Sequence, residues 1–189
     1  MPPGVLHAPG SLCTYEPQFA SDVYAMYQSV LYGGQCVSEE LLWKDCPPEE
    51  QGNIDYLMEV IDWETNTDPD FHKNRFMAPK VIQKTTAYTE EWICYKCAQV
   101  CAKRLTIQPG QRVVIKDQAA YGFILLQGHG SFGGWTIETP TLIRYGELTN
   151  DEFFVSEAAA KEGVTIMNPS QTEPIVMLKH FAENPELVL

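Results

Sequence analysis

Short runs of alternating apolar and polar positions dominate the second half of the chain, and they predict β-strands. Between Leu105 and Phe181, runs rich in β-branched and aromatic residues are separated by clusters of Gly, Pro, Asn and Asp. The intervals look too short for intervening helices, so the pattern predicts an antiparallel sandwich or barrel. The predicted strands cover residues 112–115, 121–126, 135–137, 141–145, 153–155, 164–167 and 175–178.

The first half of the chain mixes strand and helix signals. Residues 12–15 and 22–30 are plausible strands, whereas Ser38 followed by two glutamates is typical of a helix start. A longer helix is predicted from Asn53, because apolar residues follow it at helical spacing until the polar cluster at 66–70. Strand signals then return at 80–83, 86–88, 91–95 and 103–108.

Composition and charge narrow the classes of partner. The 189 residues, 44% of them apolar, are enough for one good core and exclude disorder of the whole chain. The net charge is −12 and the 13 Lys and Arg residues are scattered singly, which argues against nucleic acid or an anionic membrane as a ligand. No run has the length of a membrane span or the pattern of a signal peptide, so we expect a cytoplasmic protein with free thiols at its six cysteines.

The main segment resembles a cupin barrel of the phosphomannose-isomerase-like kind. The resemblance rests on a Pro109-Gly110 turn, a strand ending at Gly128-His129-Gly130, Asp151-Glu152 before an apolar strand, and residues 163–168 ending at Asn168. It implies a jelly-roll β-barrel. In metal-binding members of that family, the ligands precede a glycine and an asparagine that correspond here to Gly128 and Asn168. Counting back from these two residues places the ligand positions near Ile115, Asp117, Gly122 and Val164. Of these only Asp117 has a ligating side chain, so we interpret the barrel as metal-free.

The N-terminal residues carry a separate resemblance to phosphomannose isomerases. His7 in its Pro-Gly context, followed by Glu16, Gln18 and Ser21-Asp22, is similar to the segment in which a histidine closes the metal site of those enzymes. The resemblance implies that His7 would ligate zinc, iron or manganese, with Glu16 near the site. The other ligands of those enzymes lie upstream, and the arginine that follows Ser-Asp in the family is absent here. His7 can therefore also be a former ligand.

Together the two resemblances imply a three-part chain. Residues 1–32 would be the terminal strands of a first, incomplete cupin, 33–76 a helical connector, and 77–189 a complete cupin barrel. The predicted fold class is all-β dominated, a cupin jelly roll with a small helical connector and extra N-terminal strands.

Cys94, Cys97 and Cys101 have the local spacing most like that of a metal site. On a helix their sulfurs would share one face, whereas the aromatic and β-branched neighbours of Cys94 indicate a strand, in which Cys94 and Cys97 point to opposite faces. No second pair at zinc spacing accompanies them, so the strand interpretation is favoured.

Several polar residues on the predicted strands and turns are candidates for a ligand pocket. His129 is expected in a turn at the barrel rim, between two glycines. The others would line the barrel cavity and hold a sugar or a phosphate if they face inward, or lie on the solvent face if they do not. The candidates are Lys116, Asp117, Tyr121, His129, Arg144, Glu152 and His180.

Three functions follow as hypotheses. The resemblance implies a metal-dependent sugar-phosphate isomerase, active only with a complete ligand set. A metal-free cupin that binds a small carbohydrate, or acts as a scaffold and dimerisation barrel, needs no such set. A purely structural interaction domain is the third. The expected partners are a sugar or sugar phosphate and a second copy of the chain, because strand edges left unpaired favour homodimers.

Overall fold

The computed structural model describes residues 4–7, 15, 17, 29–30, 33–44, 46–97, 100–139, 145–146 and 148–182. The chain divides into two compact units, Met1–Phe76 and Met77–Leu189. In the first unit, the predicted strands 12–15 and 22–30 lie outside the described residues except for Tyr15, Ser29 and Val30. No helix among the described residues is long and apolar enough to cross a membrane.

Short helices are the main regular secondary structure in the described part of the first unit. They are α1 (Glu39–Leu42), a single 3-10 turn (Pro48–Glu50), α2 (Ile54–Val60), α3 (Trp63–Asn66) and α4 (Phe71–Arg75). Ser38 caps α1 and Asn53 caps α2, as their positions predict. The helix predicted to continue towards residue 66 ends earlier, because Ile61 is extended and the Asp62 carboxylate accepts the Thr65 N–H at 2.9 Å, which starts a new helix.

The described part of the second unit contains ten strands and one helix. The strands are β1 (Lys80–Lys84), β2 (Tyr88–Cys94), β3 (Cys101–Ile107), β4 (Arg112–Ile115), β5 (Tyr121–Gln127), β6 (His129–Phe132), β7 (Trp135–Glu138), β8 (Glu152–Val155), β9 (Val164–Met167) and β10 (Ile175–Phe181), and the helix is α5 (Glu157–Glu162). One sheet has the order β1-β2-β3-β10-β5-β8 and the other β4-β9-β6-β7. All their pairings are antiparallel.

This topology confirms the predicted fold class. Strands β3 to β10 are divided between two four-stranded groups, β3-β10-β5-β8 and β4-β9-β6-β7, and this alternation of sheets is that of an eight-stranded jelly roll. Inward-facing aliphatic and aromatic side chains of both sheets form one core that extends from Trp92 to Phe181. Burial alternates along the strands, as in Arg112–Ile115, where Val113 and Ile115 are buried.

Two elements of the barrel differ from the sequence-based expectation. His129, expected in a turn, begins strand β6, whose Gly130 comes so close to β9 that a Cβ there would lie 2.1 Å from the Met167 carbonyl oxygen. An unexpected helix, α5, occupies the interval after β8, because Ser156 caps a run of strong helix formers by accepting the Ala159 N–H at 3.4 Å. Of the predicted strand 141–145, only Tyr145 is described.

Candidate functional site

Two lysines lie opposite each other on the inner face of the larger sheet. Lys103 of β3 pairs in register with Lys179 of β10. Both side chains point to the inner face of their strands, where the other residues are apolar. The side chain of Lys179 is fully buried and that of Lys103 is 11% exposed. Two ammonium groups at adjacent inward positions would be strongly destabilising without compensating negative charge.

Two carboxylates supply that charge, and each contacts both lysines. Asp117 accepts from Lys103 Nζ through Oδ1 at 2.9 Å and from Lys179 Nζ through Oδ2 at 2.6 Å. Glu90 Oε2 lies 3.8 Å from Lys103 Nζ, and Glu90 Oε1 contacts Lys179 Nζ directly. We call Glu90, Lys103, Asp117 and Lys179 the charge quartet, and with both lysines and both carboxylates ionised it is electrically neutral.

Different elements bring the quartet together. Glu90 comes from β2, which pairs with β3, so its inward position follows from the sheet register. Asp117 instead follows β4 of the opposite sheet and crosses the interior to reach the lysines. Its backbone N–H donates to the Ala160 carbonyl of α5 at 3.0 Å, so this unexpected helix holds the carboxylate in place.

Three aromatic residues enclose the charge quartet. Lys103 Nζ lies 4.7 Å from the ring centroid of Trp92 and 5.3 Å from that of Phe181, while Lys179 Nζ lies 5.1 Å from that of Tyr121. The Phe181 ring also contacts the Tyr121 ring, with centroids 5.4 Å apart. These cation–π distances place the ammonium groups against electron-rich ring faces in a site largely shielded from water.

Two buried donors of this aromatic shell have no hydrogen-bond partner among the described residues. They are the indole Nε1 of Trp92 and the hydroxyl of Tyr121, in side chains of residues that are 1% and 2% exposed. Burial, and secondarily the charges of Asp117 and Glu90, raise the pKa of Tyr121 well above its usual value. The Tyr121 hydroxyl therefore keeps its proton at neutral pH and can donate a hydrogen bond to a ligand.

Of the candidate pocket residues, the structure brings Asp117 and Tyr121 together in the barrel interior. Lys116 and Glu152 are exposed. His180 lies on the other face of β10 from Lys179, over Gly122, where a Cβ would meet its ring at 2.2 Å; burial lowers its pKa. His129 is exposed and lines a separate surface cavity of about 240 Å³. Arg144 lies outside the described residues.

The strand pattern contained a signal for the residues that the sequence analysis missed. On β3, Lys103 lies between the inward-facing residues Cys101 and Leu105. On β10, Lys179 lies between the inward-facing residues Met177 and Phe181. A lysine at an inward position of an otherwise apolar strand indicates a buried charge with a partner. That signal identifies the lysines, but not which carboxylates meet them.

The described residues do not fit a divalent metal in the barrel. The counted ligand positions hold the core aliphatic side chains Ile115 and Val164, and Asp117 is bonded to two ammonium groups that would repel a cation. No three His, Cys, Asp or Glu side chains in the described part of the chain are grouped to hold a metal ion. Cys94 ends β2 and Cys101 begins β3, so the three spaced cysteines are not on one helix face.

The N-terminal metal candidates are only partly described. His7 is exposed, and its Nδ1 lies 2.9 Å from the Val5 carbonyl oxygen. Glu16 lies outside the described residues. The assignment of His7 and Glu16 to a metal site stays a prediction.

Comparison with solved structures finds cupins. An RmlC-like cupin from Shewanella frigidimarina is 11% identical over 61% of this chain and 96% of that one, with a TM-score of 0.41. An RmlC-like cupin from Ralstonia eutropha is 8% identical over 61% of this chain and 66% of that one, with a TM-score of 0.40. An oxalate decarboxylase from Lactobacillus farciminis is 22% identical over 60% and 32% of the two chains, with a TM-score of 0.40. No family model and no curated protein matches the sequence.

The strand order itself decides the fold. The barrel is an eight-stranded jelly roll. Its interior holds the charge quartet and the aromatic shell.

Proposed function

We propose that this protein binds a small carbohydrate or sugar phosphate inside its cupin barrel, in the cytoplasm and without a metal ion. The observation that carries the proposal is the pair of buried donors, Trp92 Nε1 and Tyr121 Oη, left without described partners beside four charged side chains. Buried donors without acceptors are costly, and a ligand rich in oxygen atoms would supply the missing acceptors.

The chemistry of the site supports a polar ligand. The charge quartet and its shell offer both donors and carboxylate acceptors, which suits hydroxyl groups that donate and accept at once. The Lys103 ammonium, the more exposed of the two, can also contact a phosphate. Four strands and the Asp117 segment hold these groups in fixed positions. Because the residues of the site are at most 8% exposed, a ligand reaches them only when the barrel opens.

Tyr121→Phe tests the proposal because it removes the hydroxyl and keeps the ring. Binding of mannose 6-phosphate, measured by calorimetry, should weaken about tenfold. The free energy of unfolding without ligand should rise by about 1 kcal/mol, because an unsatisfied buried hydroxyl is removed. The matched control is Tyr95→Phe, whose hydroxyl donates to the Ala78 carbonyl at 3.0 Å and which should leave binding unchanged.

Free mannose and inorganic phosphate separate the possible ligands. Binding of mannose or of mannose 6-phosphate that is tighter than that of phosphate supports a sugar site. If phosphate alone binds as tightly as the sugar phosphate, or if none of the three binds at millimolar concentration, the proposal is wrong.

A second candidate function, a dimerisation barrel, is favoured by strand β1. It is the edge of the six-stranded sheet, all five of its residues are exposed, and Val81 and Ile82 present apolar side chains. We propose that two copies of the chain associate through this edge. Light scattering should then show a dimer that Val81→Lys weakens, whereas Leu126→Lys, on β5 inside the same sheet, serves as the exposed control. A monomer at high concentration would exclude this candidate.

The isomerase alternative has its own test. It requires a divalent ion that the described interior does not fit, so it depends on His7 and on residues beyond the described ones. One tightly bound divalent ion per chain, lost on His7→Ala, would establish a metal site and overturn the metal-free interpretation.

A further inference from the structure

A second cavity, which we call the edge cavity, is separate from the charge quartet and is lined by residues of β8, of α5 and of all four strands of the smaller sheet. Its volume is about 800 Å³, within the range of cavities that take drug-sized ligands. Strand β8 is the edge of the larger sheet and β7 that of the smaller, and residues of both line the cavity. None of the charge quartet or its aromatic shell is among the lining residues.

Stacked aromatic rings line one side of this edge cavity. Phe153 lies nearly parallel to Phe123, with centroids 5.4 Å apart and an interplanar angle of 15°, and at 30° to Phe132. Phe153 is half-buried, so the stack is packed on the core side and reaches the cavity on the other. A flat ring entering the cavity would extend an existing stack at little cost in side-chain entropy.

Two large exposed aromatic side chains line the edge cavity. Trp135 is 66% exposed and Phe154 77% exposed, which is unusual for side chains of this size. The β6–β7 turn also lines the cavity, and its Gly133 and Gly134 carry no side chain; a Cβ at Gly134 would meet nothing within 4 Å. The mouth is therefore open to a rigid, planar molecule.

Arg112 gives the edge cavity a distinct charge. It is exposed on β4 and forms no ion pair with any residue that the structure describes, although the chain as a whole carries a net charge of −12. Glu162 is the acidic residue of the lining and lies at the end of α5. Arg112 lies on β4, at the opposite edge of the smaller sheet from the Trp135 strand β7, and lines the same cavity. A cavity with aromatic rings and a guanidinium that has no described carboxylate partner suits a carboxylate or sulfonate attached to a ring system.

We propose that the edge cavity binds a planar aromatic compound that carries an anionic group. The rings lie between Phe153 and Trp135, and the anionic group contacts the Arg112 guanidinium. Glu162 can accept a hydrogen bond from a hydroxyl of the same ligand. This site is independent of the carbohydrate site proposed for the barrel interior.

Two related fluorescent probes separate the two parts of the proposal. The probe 1-anilinonaphthalene-8-sulfonate has the rings and the anion, whereas N-phenyl-1-naphthylamine has the same rings without the anion. Both should bind the full chain with one saturable site. Trp135→Ala should weaken both about fivefold, because a stacking partner is lost. Arg112→Gln should weaken the sulfonate about tenfold and the neutral probe by less than about twofold.

Matched variants exclude a general effect on the fold. Trp63→Ala removes another exposed tryptophan, which lies in the other unit, and should leave both affinities unchanged. Tyr121→Phe alters the barrel interior and should also leave them unchanged. The thermal midpoint of each variant shows whether it is folded. If Arg112→Gln does not fold, Arg112→Met replaces it with the same expected result, because methionine keeps the aliphatic part of the side chain and removes the charge.

Three results would overturn the proposal. One is the absence of saturable binding of either probe. Another is a loss of affinity on Arg112→Gln that is equal for the two probes, or no loss for the sulfonate. The third is a fall in probe affinity at the protein concentrations where light scattering shows a dimer, because a second copy would then cover the edge cavity.

Discussion

At the scale of single residues, Lys179 shows how strongly the barrel depends on charge compensation. A fully buried ammonium group loses its hydration, which costs several kcal/mol unless partners replace the water. Asp117 and Glu90 both contact it, and the Tyr121 ring lies against it. The energy of this arrangement is therefore shared, and removing one member leaves the others buried and uncompensated.

Lys179→Met tests this compensation with a side chain of similar length. Two carboxylates would then share Lys103 alone, so we expect the free energy of unfolding to fall by about 3–5 kcal/mol in urea titrations. Adding Asp117→Asn should recover part of the loss, because the excess negative charge is removed. The control Lys161→Met breaks an exposed pair with Glu157 and should have a far smaller effect. Equal losses of stability in Lys179→Met and Lys161→Met would contradict this account.

His180 predicts a pH dependence of stability. Burial lowers the pKa of its imidazole in the folded protein, so below about pH 6.5, the usual histidine value, the unfolded chain binds the proton more readily. Stability from this group is present above that pH and is lost as the pH falls towards the folded pKa. We expect the urea midpoint to drop between pH 7.5 and 5.5, and to drop less in His180→Gln. His72→Gln, an exposed histidine of α4, should keep the full drop.

At the scale of elements, α5 links the two sheets to the charge quartet. Its Ala160 carbonyl accepts the Asp117 N–H, and Gly163 ends it with a positive φ of 106° before β9 begins. The end of α5, the start of β9 and the position of the Asp117 carboxylate therefore depend on one another. The sequence has the signals for this helix, a Ser cap and three alanines, but they lie in a short interval between strands where a loop was the simpler interpretation.

Gly163→Ala tests this junction. A Cβ at residue 163 would be strained by the positive φ and would lie 2.9 Å from Val114 Cγ1 and 3.0 Å from Lys116 Cγ. We expect a loss of about 1–3 kcal/mol in the free energy of unfolding. Gly134→Ala meets nothing within 4 Å and should change stability by less than about 0.5 kcal/mol. If both variants are equally stable by thermal denaturation, the junction is not constrained as described.

At the scale of the whole molecule, the two units differ in the core that each contains. The large core belongs entirely to Met77–Leu189. Among the described residues of the first unit, a smaller buried cluster consists of Trp43, Cys46 and Leu57. The jelly roll of the second unit has a hydrophobic core of its own, which a domain needs in order to fold independently.

Residues 77–189 expressed alone should therefore fold. We expect a cooperative thermal transition by circular dichroism, with a β-sheet spectrum. Sugar-phosphate binding, if present in the full chain, should persist in 77–189 because the charge quartet lies within it. A fragment 77–189 without a cooperative transition would show that its barrel depends on the first unit.

The sequence by itself determined the type of fold and much of the strand content. Period-two alternation and turn residues are local properties, so the strands at 112–115, 164–167 and 175–178 could be predicted from neighbours alone. Local signals also placed the caps at Ser38 and Asn53. They did not place His129, because its strand is also held by long-range pairing with β9 and by the close approach of Gly130 to β9.

Only the tertiary structure decided which charges meet. Glu90, Lys103, Asp117 and Lys179 are far apart in sequence, and their meeting depends on the register of β2, β3 and β10 and on the Asp117 segment that crosses from the opposite sheet. A slip of one residue in any of these strands would turn its charged side chain to the other face. Whether a side chain points inward can be inferred from the local pattern. Which side chains meet across the barrel depends on how the strands pair, and no single stretch of sequence contains that information.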